Sequence, residues 1–287
     1  MQRRKSWQGR SLVTIIDYDA EYNNRARVPD HPAIIAGWAR DAEAYRASCD
    51  GDWRTISYGP GERHRIDFFP SSGDGSVVVF IHGGYWQSLD RSYFSHLARG
   101  LNARGISVAI PSYDLCPQVS VATIIDQMRS MSRELAKLGK RLVISGHSAG
   151  GHLAACLLAT DWKQVAAELP ADLVTAAYSI SGVFDLVPLI GTPLNVALQL
   201  DETSAREVSS AFWRAPRQGS LDAVVGAAES GEFLRQSKVM AEIWSSAGLP
   251  TRFEPLPEAN HFTVIAPMAD PQSGMTARLA ELAARRT

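Results

Sequence analysis

The stretch Leu142-Val143-Ile144-Ser145-Gly146-His147-Ser148-Ala149-Gly150 restricts the fold more than any other part of the chain. A β-branched apolar run leads into it and an apolar helical pattern follows through residues 151–160, so it reads as a buried strand that reverses sharply into a helix. The serine sits at the apex of such a turn in a strained backbone conformation. Side chains two positions before and two after it would collide with the neighbouring strand and helix. Gly146 and Gly150 meet that demand. The five-residue pattern is common by itself, and its strand-then-helix setting gives it weight.

Continuous apolar runs at 77–81, 106–110, 142–145, 174–180 and 221–225 have the length and composition of parallel strands covered on both faces. Between them, Val121, Ile124, Ile125, Met128, Leu135 and Leu138 share one face of a crossover helix over 121–138. Upstream, 53–58 and 64–69 flank Gly59-Pro60-Gly61 and read as an antiparallel start, and 251–256 is the last strand. The expected fold is therefore α/β: a mostly parallel central sheet of about eight strands flanked by helices. Tyr22, Ile34, Ile35, Trp38, Ala42 and Tyr45 give an amphipathic helical pattern, with a turn at Pro29-Asp30-His31-Pro32. Nothing in that segment looks catalytic. Residues 185–217, with Pro188, Pro193, Trp213 and Pro216, break the alternation. Ligands of open α/β sheets bind beyond the carboxyl ends of the strands, so this excursion and the N-terminal segment 1–50 are expected to cap the site. With 287 residues and 45% hydrophobic content, the chain 1–287 is expected to form one domain.

The formal net charge of −1 argues against the broad positive field needed to bind nucleic acid or an anionic membrane. The expected partner is a small molecule, and a homodimer is compatible with the sequence. Cys49, Cys116 and Cys156 are widely spaced without a C-x-x-C pattern and read as reduced thiols. The basic opening Met-Gln-Arg-Arg-Lys is not followed by the apolar segment of a signal peptide, and no run approaches a membrane span. A cytoplasmic enzyme is the expectation. No metal-ligating cluster and no nucleotide-binding glycine loop is present, so no metal or other cofactor is expected.

A serine hydroxyl is a weak nucleophile at neutral pH. Ser148 therefore needs a base to take its proton and a third group to orient that base, in the chain order serine, acid, histidine. His261, in Pro257-Glu258-Ala259-Asn260-His261-Phe262 just past the last strand, fits as the base. Asp185, Glu229 and Glu232 follow strands between the two. Glu229 is favoured because it lies 81 residues after Ser148 and 32 before His261, leaving room for the excursion before it and one strand–helix unit after it. Asp185 reads as a cap of the excursion and Glu232 as the start of a helix. Attack on a carbonyl creates an oxyanion that backbone N–H groups stabilise. His82-Gly83-Gly84-Tyr85-Trp86, directly after a strand, supplies such donors in Gly83, Gly84 and Tyr85, joined by the N–H of Ala149. His82 reads as a brace of that loop, His147 as flanking the nucleophile without facing the substrate, and His152 as a satisfied helix histidine. Tyr85, Trp86, Phe184 and Trp213 are candidates to stack on an aromatic substrate.

Together these motifs resemble the α/β-hydrolase superfamily, and within it the kynurenine formamidase (arylformamidase) branch, close to the hormone-sensitive-lipase-like esterases. The resemblance covers most of the chain and rests on Tyr22-Asn23-Asn24-Arg25 with Val28-Pro29-Asp30-His31, His82 to Trp86, Gly146 to His152, Ser181 to Leu186, Gly226 to Glu229 leading to Glu232-Phe233, and Asn260-His261-Phe262. It implies amide or ester hydrolysis through an acyl-enzyme, with Ser148, Glu229 and His261 as the triad, and the favoured activity is removal of a small acyl group from an aromatic amide, an aryl formamide of the N-formylkynurenine kind. Many members of that family carry aspartate at the acid position, where this chain has glutamate. The alternatives are a short-chain carboxylesterase and a non-catalytic ligand-binding protein on the same scaffold.

Overall fold

The computed structural model describes residues 16–73 and 75–285; the basic opening and the first part of the expected cap segment lie outside them. The chain begins with α1 (Tyr18–Tyr22), α2 (Asn24–Arg27) and α3 (His31–Ser48), followed by β1 (Arg54–Ser57) and β2 (Arg65–Phe69). Next come β3 (Val77–Ile81), α4 (Ala98–Asn102), β4 (Val108–Pro111), α5 (Val121–Ala136), β5 (Leu142–His147), α6 (Ala149–Leu158), α7 (Trp162–Val165) and β6 (Val174–Ile180). The excursion carries α8 (Asn195–Leu198) and α9 (Glu202–Val208), and the chain ends with β7 (Ser220–Gly226), α10 (Gly231–Ser246), β8 (Thr251–Leu256) and α11 (Gly274–Ala284).

Among the described residues the strands form one eight-stranded sheet in the order β1-β2-β4-β3-β5-β6-β7-β8. The pairings β1/β2 and β2/β4 are antiparallel, and the remaining five are parallel. This is the expected α/β architecture, antiparallel start included. β3, β5 and β7 are buried at every position, so their sequences show no apolar–polar alternation, and the one charged residue among them, Asp222 of β7, is paired with Arg278 at 2.7 Å. α5 buries Val121, Ile124, Ile125, Met128, Met131 and Leu135, the one-sided pattern its spacing predicts. Every residue of α6 is buried, and all of them but His152 are apolar or glycine.

From β3 the chain steps to β4 on one side, then crosses back to β5 on the other side of β3. Neighbouring loops that leave the carboxyl ends of β3 and β5 therefore diverge, opening the crevice where such sheets bind ligands. The amphipathic helix expected after the Pro29-Asp30-His31-Pro32 turn is α3, and two short helices precede it. Asn23 ends α1 and its side chain caps α2, accepting the N–H of Ala26 at 3.1 Å. α3 starts at the expected turn and buries Trp38 and Ala42.

Candidate active site

Ser148 has φ 55° and ψ −116°, a left-handed conformation that costs a non-glycine residue on the order of 1–3 kcal/mol. Its N–H donates to the carbonyl of Ile180 at 2.8 Å, which ties the apex to β6. A Cβ on Gly146 would run into the backbone of Gly150, and one on Gly150 would strike the carbonyl oxygen of Ile81 in β3. The two glycines are thus required for the reason given by the sequence pattern. Gly151 is a third: its Cβ would lie 2.7 Å from Ser179 Oγ, so α6 presses directly on β6.

The turn after β7 holds Glu229. Its Oε1 accepts the Gly226 N–H at 2.7 Å and the Ser181 hydroxyl at 2.5 Å, while Oε2 faces Nδ1 of His261 at 2.6 Å. A carboxylate only accepts, so it selects the tautomer with the proton on Nδ1 and leaves Nε2 of His261 as the free base. Ser181, itself at φ 52°, is a residue the sequence reading quoted but gave no role. Gly226 has no room for a side chain, because a Cβ would meet Ala259 backbone and stand 3.0 Å from Glu229 Oε1. Among the other acids weighed, Glu232 begins α10 and pairs with Arg235 at 2.7 Å. Asp185 accepts the N–H of Val187 at 3.0 Å at the entry to the excursion.

Ser148 and His261 line one cavity of about 530 Å³, together with Gly84, Tyr85 and His147. No hydrogen bond joins Ser148 Oγ to His261, and nucleophile–base contacts are often long until substrate binds. Gly83 packs against Ser148, and Gly84, Tyr85 and Trp86 follow at φ 106°, 51° and 58°. Among the described residues, the N–H groups of Gly83, Gly84, Tyr85 and Ala149 meet no protein acceptor, which leaves them available to an oxyanion. The N-terminal segment contributes Asp19, Tyr22, Asn24 and Arg25 to the cavity wall, and the excursion contributes Thr192, Pro193 and Leu194.

The sequence of residues 78–265 matches the model of a family described as having the alpha/beta hydrolase fold. The chain belongs to the α/β-hydrolase family. It is 33% identical to a kynurenine formamidase of Danio rerio over 227 residues, covering 75% of this chain and 76% of the relative. To a kynurenine formamidase of Salmo salar it is 30% identical over 241 residues, covering 79% and 80%. Among solved structures, a candidate thioesterase from Silicibacter sp. tm1040 superposes with a TM-score of 0.84 at 35% identity, over 92% of this chain and 98% of that one. The protein is a hydrolase enzyme of the same family as these relatives.

Three of the four expected stacking residues of the hydrolase do not line the cavity. The Trp86 ring is fully buried with its edge to His152 at 5.2 Å; the left-handed backbone at Tyr85 and Trp86 sends successive side chains in directions that linear order does not disclose. Phe184 is buried over Gly182, where a Cβ would stand 2.5 Å from its Cζ. Trp213 lies away from the cavity, beneath the Arg129 guanidinium at 5.9 Å, with its indole N–H donating to the Glu207 carbonyl at 2.8 Å. Of the four, Tyr85 alone reaches the wall, joined there by Trp38 and Phe262, which the sequence places on a helix face and beside His261 without marking them for substrate.

The remaining histidines divide by environment. His82 is stacked on Tyr113 at 4.3 Å, and its Nδ1–H donates to the Gly83 carbonyl at 2.8 Å. Burial holds its pKa down at about 4, so it braces the loop as a neutral ring. His152 donates from Nε2 to the Val208 carbonyl at 2.6 Å, but its Nδ1 has no partner, so it is only half satisfied. His147, expected to face away from substrate, instead lines the cavity with its ring 4.7 Å from that of His261. Burial, and then repulsion from His261, push its pKa well below the ordinary value. A neutral ring there adds no positive charge beside His261.

Proposed function

We propose that the enzyme is an amidohydrolase that removes a small acyl group, formyl above all, from an aromatic amine through an acyl-Ser148 intermediate. The observation that carries this reading is the orientation of His261 by Glu229 beside the strained Ser148, on a cavity shared with the glycine loop. Ser148 Oγ attacks the amide carbonyl while its proton passes to Nε2 of His261. The N–H groups of Gly83, Gly84, Tyr85 and Ala149 take the oxyanion, each well-placed donor supplying roughly 3–4 kcal/mol. The tetrahedral adduct collapses as the imidazolium returns its proton to the departing nitrogen. Water, deprotonated by the same ring, then releases the acid and restores the serine. Attachment of the nitrogen to an aromatic ring improves it as a leaving group, and Tyr85, Trp38 and Phe262 offer apolar surface for that ring. The kynurenine formamidase relatives favour formyl over a larger acyl group. Three unpaired thiols fit a reducing, cytoplasmic setting, and no helix among the described residues is long and apolar enough to cross a membrane.

The test compares kcat/KM of the purified protein on a formanilide and on the matching phenyl ester, since only the first leaving group must be protonated. Comparable or preferential turnover of the formanilide supports the amidohydrolase. Turnover of the ester with an inert formanilide replaces it by the carboxylesterase, which uses the same residues. Failure to hydrolyse either, with no labelling of Ser148 by an organophosphate, removes both and leaves a ligand-binding role.

A further inference from the structure

Three consecutive residues of the glycine loop, Gly84, Tyr85 and Trp86, are left-handed, and two of them carry side chains. Such a backbone persists only where its surroundings impose it. Part of the restraint is local: the Gln87 N–H closes a turn on the Gly84 carbonyl at 2.9 Å, and the Trp86 carbonyl accepts the Cys116 N–H at 2.8 Å. The rest comes from far away in sequence. The Tyr85 hydroxyl donates to the Tyr22 carbonyl at 2.7 Å and accepts from the Asn24 amide at 3.2 Å. Asn24 is itself buried. A buried asparagine at the first position of a helix is costly unless its amide is used, and this one is used on Tyr85.

The same N-terminal segment is anchored on its other side to the start of α10, immediately after the acid turn. The Tyr22 hydroxyl accepts from Gln236 Nε2 at 2.6 Å and donates to Glu232 Oε2 at 3.1 Å, and Glu21 accepts the Glu232 N–H at 2.8 Å. The Tyr22 ring meets Phe233 edge-on at 5.8 Å, and Phe233 packs against His261 at 4.6 Å. Residues 21–24 thus span the two halves of the site, the donor loop after β3 and the acid turn after β7.

We propose that Tyr85 is a positioning residue and that residues 21–24 act as a strap: the phenol, held by the Tyr22 carbonyl and the Asn24 amide, fixes the strained peptide planes that aim the loop N–H groups at the oxyanion. The strap then sets the turnover rate as well as walling the cavity. This inference rests on the acyl-enzyme reading of the site but not on a preference for formamides.

The test uses the full chain with Tyr85→Phe, which keeps the ring and removes both hydrogen bonds, and Asn24→Ala, which removes one. Each is assayed on p-nitrophenyl acetate and on formanilide. Affinity is also measured for an aryl trifluoromethyl ketone, which forms a tetrahedral adduct with the serine, and for aniline, a ground-state competitor. Tyr85→Phe is expected to lower kcat about ten- to hundredfold on every substrate the wild type turns over, with KM within about threefold. Ketone affinity falls in proportion to kcat/KM, aniline affinity holds, and Asn24→Ala gives a smaller loss of the same kind. An unchanged kcat with raised KM, or a ketone affinity that does not follow kcat/KM, overturns the proposal in favour of a mere wall. If Tyr85→Phe does not fold, Asn24→Ala decides by the same readouts. A wild type active on the ester alone overturns the formamide reading while leaving this comparison intact; a wild type inert on both overturns the acyl-enzyme reading and this inference with it.

Discussion

Gly83 and Ser148 are packed so closely that a Cβ on the glycine would stand 3.0 Å from the serine Cβ, and 2.9 Å from the His147 carbonyl oxygen. The loop after β3 and the turn at Ser148 therefore leave no room for a side chain between them, and a methyl group there must push them apart. Gly83→Ala is expected to reduce kcat/KM at least about a hundredfold, mostly in kcat, because displaced donors lose transition-state stabilisation. Steady-state kinetics beside a circular-dichroism melt check this; a variant with full activity contradicts the assigned hole.

Ser148→Ala removes the proposed nucleophile, and kcat is expected to fall at least about a thousandfold with the fold retained. Mass spectrometry after organophosphate treatment should show a single adduct on the wild type and none on this variant.

Replacing Glu229 tests the tautomer argument. In Glu229→Gln the amide nitrogen can turn toward His261 while the remaining oxygen stays with Gly226 and Ser181, so the ring must carry its proton on Nε2 and cannot act as base. A loss on the order of a thousandfold or more is expected. Ser181→Ala keeps the acid but removes its 2.5 Å hydrogen bond, and about a tenfold fall in kcat is expected. Equal rates for wild type and Glu229→Gln would discard the assigned acid.

The elements that local chemistry dictates were legible in the sequence: five apolar runs became buried parallel strands, and Glu229, chosen by spacing, stands beside His261. What linear order hid was side-chain direction. Trp86 follows Tyr85, yet two left-handed residues turn its ring into the core, and Phe184 and Trp213 are likewise spent on packing. The N-terminal segment is expected from the sequence to cap the site, but its hydrogen bonds to Tyr85 escape notice for a different reason. Helical periodicity explains Tyr22 as a core position, while its carbonyl's hydrogen bond to a residue 63 positions away leaves no local trace. The one available signal was Asn23-Asn24, a pair that interrupts a helix and is polar where the pattern wants apolar groups.

Acid should destabilise the enzyme before its carboxylates titrate. His82 and His152 sit at about 4 because burial disfavours their charged forms, below the ordinary 6.5 of the unfolded chain. As pH falls from 6.5 toward 4 the unfolded state takes up protons that the folded state refuses, so stability present above 6.5 is lost through that window. Between pH 7 and pH 5 each of these histidines should remove roughly 2 kcal/mol. Urea midpoints across this range measure it, and a midpoint that does not move would show that the rings are not held neutral.

Arg25 and Asp19 are the charged side chains on the cavity wall, and no ion pair occupies the Arg25 guanidinium among the described residues. Arg25→Ala should raise KM for a formanilide bearing a carboxylate several-fold while leaving the uncharged parent unaffected, the effect shrinking at high salt. An equal change for both substrates would mean that Arg25 only shapes the opening.

The two contributors to the cavity wall differ in what they touch behind it. Thr192, Pro193 and Leu194 border the cavity from an excursion outside the sheet and meet the glycine loop through the Leu194 carbonyl, which accepts from Gln87 Nε2 at 3.0 Å, whereas the Tyr22 carbonyl and the Asn24 side chain hold the Tyr85 hydroxyl. A backbone contact survives a change of side chain, so natural or directed selection for new substrates is free to rewrite the side chains of 193 and 194 at little catalytic expense. Changes at 22–24 would couple selectivity to rate, so lineages that diversify their substrates should vary at the first stretch and stay still at the second.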